Sequence, residues 1–227
     1  MVGSAMWSLY DSTIGKKCIM ATTGCVLFGF VFVHMLGNLK FFLGAEAINH
    51  YAIGLRELGS PILGHEQALW LARIVLLVSL VLHLVAAFQL TRIDLAARPN
   101  RYAMRRPTQE TFAARTMRWG GVIILLFVIY HILHLTLGRG GTPFVDGDVY
   151  YNMYFGFSNP IVSAVYIVAM IALALHLRHG VWSMCQTLGL RTERTDGLIR
   201  GGATAFALII AIGNISIPLT ILIWGGR

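Results

Sequence analysis

The chain contains five apolar stretches, each long enough to cross the hydrocarbon core of a bilayer as a helix. Hydrophobic residues make up 56% of the 227 residues and charged residues only 12%, about half the charged share of a soluble domain. Because lipid offers no hydrogen-bond partners to the backbone, these stretches must be helical. The sequence therefore predicts an all-α membrane protein with one domain over residues 1–227. Its predicted spans are about 17–43, 68–92, 119–138, 159–187 and 201–224.

The net charge of +8 is concentrated in two of the segments that join the predicted spans. Cations beside membrane spans mark the cytoplasmic side, so we expect a cytoplasmic N-terminus and an outer C-terminus. The same placement beside the lipid bilayer argues against a nucleic-acid partner. The aromatic-rich segment 142–160 is expected to form a folded loop at the outer surface. The basic residues of the two segments are Arg92, Arg98, Arg101, Arg105, Arg106, Arg115 and Arg118, then Arg191, Arg194 and Arg200.

Each of the first four apolar stretches contains a central histidine: His34, His83, His131 and His176. An ionisable side chain inside a membrane is costly and usually faces a partner or a cofactor. Imidazole is also a standard protein ligand of haem iron. Four such residues on four helices predict two irons, each held by two histidines. The three cysteines form no CxxCH motif, which predicts non-covalent b-type haems enclosed by the bundle.

The depth of each histidine predicts how the four residues pair. His83, for example, lies nine residues before Arg92, or about 14 Å along the helix. Similar counts place His83 and His176 in the inner half of the bundle and His34 and His131 in the outer half. We therefore predict an inner pair, His83 with His176, and an outer pair, His34 with His131. All four are predicted to be axial ligands of haem iron.

Glycines spaced from these histidines suggest room for a flat macrocycle. Gly24 and Gly121 each precede a proposed ligand by ten residues, and Gly180 follows His176 on the same helical face. His134 and His179 each follow a proposed ligand by three residues. For these two histidines, contact with a haem propionate or a quinone and simple helix-end solvation are equally weighted alternatives.

Four sequence segments together resemble a known family, the five-helix, two-haem cytochrome b subunit of succinate:quinone oxidoreductases (succinate dehydrogenase and quinol:fumarate reductase). The order and spacing of the segments carry the resemblance, which covers nearly the whole chain. By that resemblance His34 and His131 match the outer haem ligands, and His83 and His176 the inner ones. The segments are GCVLFGFVFVHMLGNL at 24–39, LVLHLVAAFQLTR at 80–92, GVIILLFVIYHILHL at 121–135 and ALHLRHGVWSMCQTLG at 174–189.

The resemblance implies that the chain is the quinone-reactive membrane anchor of an enzyme complex in the cell's cytoplasmic (inner) membrane. Succinate would be oxidised on a separate flavoprotein subunit. Electrons would pass through an iron–sulfur subunit docked on the cytoplasmic face, then through two haem b groups to menaquinone or ubiquinone. Some fumarate-reducing members carry a glutamate at the position of Ala174, so the alanine favours succinate oxidation. Whether such complexes form higher oligomers is left open.

Quinone reduction takes up two protons, so an acid is expected near a haem and close to an interface. By resemblance the best match is Glu57 in the first outer loop, with Glu66 as the runner-up. We expect the outer site because it has a carboxylate, and keep an inner site as the alternative. The remaining outer candidates are His65 and His134, and the inner ones are Thr23, Arg118, His179 and Trp182.

Two other functions remain open from the sequence. The first is the di-haem cytochrome b of another quinone-linked complex, a hydrogenase or a formate dehydrogenase, whose soluble partner would contain nickel or molybdenum. The second is a small transporter with histidines in its path. Transporters often have inverted halves, whereas five spans with one histidine in each of the first four show no such repeat.

Overall fold

The computed structural model describes residues 11–97 and 109–225, with side chains described in 11–97 and 117–225. The structure is 82% helical, and its described residues contain no strand. The predicted all-α fold is therefore confirmed. Its α-helices are α1 (Thr13–Asn38), α2 (Ala45–Arg56), α3 (Gln67–Ala96), α4 (Gln109–His131), α5 (Val149–Ser158), α6 (Pro160–Thr187) and α7 (Asp196–Trp224).

Five segments are long and apolar enough to cross a membrane, as the sequence predicts. They are Thr13–Leu43, Gln67–Ala96, Met117–Thr136, Pro160–Thr187 and Asp196–Trp224. The largest boundary difference is in the fifth span, which begins at Asp196 and not near residue 201. The fold is that of a multi-pass membrane protein. Four arginines of the basic segment, Arg98, Arg101, Arg105 and Arg106, lie outside the described residues, as does the side chain of Arg115.

Local sequence explains where the spans begin. The Ser12 hydroxyl accepts a hydrogen bond from the Gly15 N–H at 2.9 Å and so caps α1. Asn159 caps α6 by accepting from the N–H of Ile161 at 2.9 Å. Pro160 occupies the first turn of α6, where its missing N–H costs nothing.

One end of the bundle is closed by two short helices, and we call it the capped end. The segment 142–160, predicted as a folded loop, contains α5, and the loop between the first two spans contains α2. The two are joined by Asn49, whose side-chain amide donates to Asp148 at 2.9 Å and accepts from the Tyr150 N–H at 3.0 Å. Hydrogen bonds from the Tyr151 N–H and from Asn49 hold the pKa of Asp148 below its usual range. The cap is therefore a hydrogen-bonded substructure.

The capped end also holds one of the two apolar cores. Phe41 stacks on Tyr150 with ring centroids 4.7 Å apart, and the Tyr154 hydroxyl donates to the Gly225 carbonyl at the end of α7 at 2.7 Å. The buried members of this core are Phe41, Ile48, Met153, Phe157, Val162, Tyr166, Ile217 and Ile221. At the opposite end, which we call the loop end, α3 and α6 end and α1 and α7 begin.

Helix packing leaves two gaps that matter for the site. Helix α1 packs against α3, α6 and α7, and α6 packs against α1, α4 and α7. In the described residues, α1 has no extended backbone contact with α4, and α3 has none with α6. Helices α1 and α7 pack closely. A Cβ added at Gly213 would lie only 2.5 Å from the Met35 sulfur.

Candidate functional site

The four span histidines meet in two pairs, and each pair bridges one of the two gaps. His34 on α1 faces His131 on α4, with ring centroids 5.8 Å apart and planes at 88°. His83 on α3 faces His176 on α6, with centroids 6.4 Å apart and planes at 62°. These are the pairs predicted from depth. We call them the capped-end pair (His34 and His131) and the loop-end pair (His83 and His176).

The two pairs lie at different levels of the bundle. The His83 ring lies beside Thr23, whose Oγ1 is 3.2 Å from His83 Nδ1. Thr23 precedes His34 on α1 by eleven residues, or about 16 Å of helix. On α6, the Tyr166 hydroxyl lies 3.3 Å from His131 Nδ1, and Tyr166 precedes His176 by ten residues, or about 15 Å. Two independent helices thus give the same separation.

The spacing within each pair fits two imidazoles on opposite sides of one metal ion. With a metal–imidazole bond of about 2.0–2.1 Å, the two ring centroids would stand about 6–6.5 Å apart. The observed 5.8 and 6.4 Å are close to that range. In the described residues no group of three or more His, Cys, Asp or Glu could hold a metal ion. A haem, which supplies four ring nitrogens of its own, needs only two protein ligands.

The glycines predicted beside the histidines lie next to open space or next to a histidine. A Cβ added at Gly121 or Gly180 would meet nothing within 4 Å. A Cβ added at Gly24 would touch His83 Cε1 at 3.4 Å, which is ordinary contact. Gly24 therefore lies at the level of the loop-end pair, one layer from His34.

A threonine lies beside one ring nitrogen of His83. The Thr23 hydroxyl donates to the Ile19 carbonyl at 2.7 Å, and its oxygen lies 3.2 Å from His83 Nδ1. This arrangement suits the tautomer in which His83 Nδ1–H donates to Thr23 and the lone pair is on Nε2, the nitrogen that a metal would take. His176 differs, because its buried Nδ1 has no hydrogen-bond partner among the described residues. A buried polar atom left alone is costly, which is a reason to expect a group that this chain does not supply.

His134, predicted to touch a propionate or a quinone, has both ring nitrogens engaged with protein groups. Nδ1 is 2.9 Å from the Tyr166 hydroxyl, and Nε2 is 2.9 Å from Thr142 Oγ1. The side chain is 2% exposed and lies in the π-helical turn Ile132–Thr136 that ends the third span. The structure thus places it inside the protein at the capped end.

The candidate acid Glu57 comes together with two of the other predicted residues. Glu57 Oε1 lies 2.6 Å from His65 Nδ1, and His65 Nε2 lies 4.0 Å from Glu66 Oε1. Glu66 is held in turn by Arg56 at 3.0 Å. Glu57 and His65 are both more than half exposed. The loop between the first two spans therefore presents a contiguous acid–imidazole–acid group at the capped end.

The loop-end candidates His179 and Trp182 belong to a charged aromatic cluster. Their ring centroids are 5.5 Å apart, and the Trp182 indole N–H donates to Asp196 at 3.0 Å. Arg191 and Arg200 also donate to Asp196, at 2.6 and 2.8 Å. Each of these guanidinium groups lies 4.8 Å from the Trp182 ring centroid.

Arg118, also predicted at this end, is exposed on α4. Sequence reasoning missed Asp196 and Tyr166. Asp196 is the one acidic residue in the first turn of α7, and Tyr166 is a polar group inside an apolar run. Such residues are signals of a local partner in a membrane helix.

Comparisons with protein-family profiles, with curated proteins and with solved structures gave no match to this chain.

Proposed function

We propose that this chain is the di-haem cytochrome b membrane subunit of a succinate:quinone oxidoreductase. The observation that carries the proposal is the meeting of four span histidines in two pairs, each across a gap between helices that do not pack directly. The assignment to this enzyme complex rests on the family resemblance of the sequence. The geometry of the pairs supports haem binding independently of that resemblance.

The residues present fit haem in three respects. The centroid distances suit two imidazole ligands, the glycines leave space beside the pairs, and the Thr23 contact suits the His83 tautomer with its lone pair on Nε2. A haem held by two histidines would supply reversible one-electron transfer. The chain holds the two pairs about 15 Å apart along its helices.

The quinone chemistry is assigned to the capped end. Reduction of a quinone to a quinol takes up two electrons and two protons, so residues there must deliver protons. Glu57 and His65, 2.6 Å apart, can hold a proton between Oε1 and Nδ1. Glu66 extends the same group. Both candidate carboxylates are exposed enough to exchange protons with solvent.

The loop end is assigned to the cytoplasmic side of the inner membrane, following the basic residues. There the iron–sulfur subunit would dock, with the flavoprotein bound to it. Arg191 and Arg200 are held by Asp196, which supports a pre-organised cationic surface. Complementary charge across such an interface speeds association and selects partners.

The testing experiment is purification of the chain with its native complex, followed by a pyridine haemochrome count and a reduced-minus-oxidised spectrum. We expect two non-covalent b haems per chain and a copurifying flavoprotein. A colourless preparation that contains all subunits would refute haem binding. A nickel or molybdenum protein in place of the flavoprotein would assign the chain to another quinone-linked complex.

A further inference from the structure

A line of hydrogen bonds runs from the capped-end pair to the 138–148 loop. It begins at His131 Nδ1, which is 3.3 Å from the Tyr166 hydroxyl oxygen. The same hydroxyl lies 2.9 Å from His134 Nδ1, and His134 Nε2 lies 2.9 Å from Thr142 Oγ1. Three separate segments, α4 with its π-helical turn, α6 and the loop, each contribute to this line.

The Tyr166 hydroxyl has a single proton, so it donates to at most one of the two histidines. Two directions of donation run along the whole line. In the first direction, His131 Nδ1–H donates to Tyr166, Tyr166 donates to His134 Nδ1, and His134 Nε2–H donates to Thr142. In the second, Thr142 donates inward and Tyr166 donates to His131 Nδ1. Neutral imidazole carries one N–H, so the second direction puts a proton on His131 Nε2.

Iron ligation through Nε2 is compatible with the first direction and excludes the second. A metal needs the lone pair of the ligating nitrogen, and a protonated Nε2 has none. Ligation by His131 through Nε2 therefore selects the tautomer in which His131 Nδ1–H donates to Tyr166. In the first direction, every donor in the line has an acceptor and every acceptor has a donor.

Packing holds the line in place. A Cβ at Gly156 would lie 2.8 Å from His134 Nε2, and one at Gly140 would lie 2.5 Å from His134 Cδ2. Both glycines thus enclose the imidazole. Tyr166 is 6% exposed, and its ring meets Phe157 and Phe127 edge-on at centroid distances of 4.8 and 4.9 Å.

We propose that Tyr166 is a positioning residue for His131: its hydroxyl accepts from His131 Nδ1–H and is itself held through hydrogen bonds by His134 and, beyond it, Thr142. The inference rests on the proposed function, since it concerns the electronic character of a haem ligand. An N–H that donates to a fixed oxygen makes its imidazole a more basic ligand. A more basic ligand favours oxidised iron, so the hydroxyl lowers the reduction potential of the haem at the capped-end pair.

The test is Tyr166→Phe in the full complex, with Tyr130→Phe as the matched control. Tyr130 stacks on His134 at 5.5 Å and lies 6.0 Å from Tyr166, but it is not part of the hydrogen-bond line. Redox titration of the two haem bands is the readout. We expect Tyr166→Phe to raise the potential of one haem, the one removed by His34→Ala, and to leave the other unchanged. Tyr130→Phe should shift neither.

A second variant covers the case in which Tyr166→Phe disturbs folding. Thr142 lies in the loop, at the far end of the line. Thr142→Val should shift the reduction potential of the same haem in the same direction by a smaller amount, because it removes the last hydrogen bond of the line. Loss of that haem alone in Tyr166→Phe, together with the Thr142→Val shift, would also support the inference. Unchanged potentials in both variants, or an equal shift with Tyr130→Phe, would overturn it. A wild-type complex without haem would overturn the proposed function instead.

Discussion

The capped-end and loop-end histidine pairs have similar distances between their rings but different surroundings. At the capped end, His131 is held by a tyrosine that is itself bonded to His134 and through it to a loop. At the loop end, His83 contacts Thr23 on a neighbouring helix, and the buried Nδ1 of His176 has no partner in the described part of the chain. The same ring spacing is therefore maintained in two ways. One site is fixed by a network that joins distant segments, and the other by the helices themselves.

The largest expected effect comes from removing the proposed ligands one pair at a time. His83→Ala and His176→Ala should each remove the loop-end haem, and His34→Ala and His131→Ala the capped-end haem, because each removes an axial bond to iron. The haemochrome count should fall from two to one per chain in each variant. His179→Ala should keep both haems. Loss of the same haem from all four ligand variants would contradict the pairing.

The next effect distinguishes the two ends as quinone sites. Glu57→Gln removes the carboxylate that contacts His65, and general acid catalysis of this type contributes about 10²-fold or more. We expect succinate–quinone turnover to fall by about that factor, with both haem spectra and succinate–dye activity intact. Trp182→Phe is the matched change at the loop end. If Trp182→Phe slows quinone turnover and Glu57→Gln does not, the quinone site belongs at the loop end.

Gly156→Ala tests how firmly the capped-end network is packed. The added Cβ would meet His134 Nε2 at 2.8 Å, and overpacking of a buried site costs about 1–3 kcal/mol. Alanine gains about 1 kcal/mol over glycine in a helix, so the net change should be a lower thermal midpoint. Gly54→Ala on α2 is the control, since its Cβ would meet nothing within 4 Å. Equal midpoints for the two variants would show that His134 can move at no cost.

The smallest effect is expected for Thr23→Val at the loop end. The substitution keeps the shape of the side chain but removes the oxygen that accepts from His83. A buried donor left without its partner costs about 1 kcal/mol or somewhat more. Haem should then dissociate faster from the loop-end site, as followed by transfer to apomyoglobin. The exposed Thr22→Val on the same helix should match the wild type. If Thr23→Val also loosens the capped-end haem, the two sites are not independent.

The spans and the histidine pairs could be predicted from the sequence, because both follow from helical periodicity and length. Hydropathy locates a helix of twenty or more apolar residues, and a rise of 1.5 Å per residue converts position into depth. The short helices α2 and α5 were not predicted, since their polar and aromatic residues give no span-length signal. Their contact through Asn49 joins residues about one hundred positions apart. No local pattern encodes such a partner.

The contacts made by the site residues could not be predicted from the sequence either. Tyr166 looks like one more aromatic residue in an apolar run until α4 is placed beside it. The grouping of Asp196 with Trp182 also depends on how the short connection after α6 turns. Glu57 and His65 were both named as candidates from the sequence, but their contact depends on the loop between them.

Helix α6 contains a residue from the surroundings of each histidine pair. Tyr166 and His176 are ten residues apart on it, and Trp182 lies six residues further toward the loop end. A hydrogen-bonded helix changes its length very little, and a close-packed interior transmits displacement without absorbing it. An axial displacement of α6 would therefore move Trp182, His176 and Tyr166 together. One rigid element thus ties the loop-end cluster to a histidine of one pair and to the tyrosine beside the other.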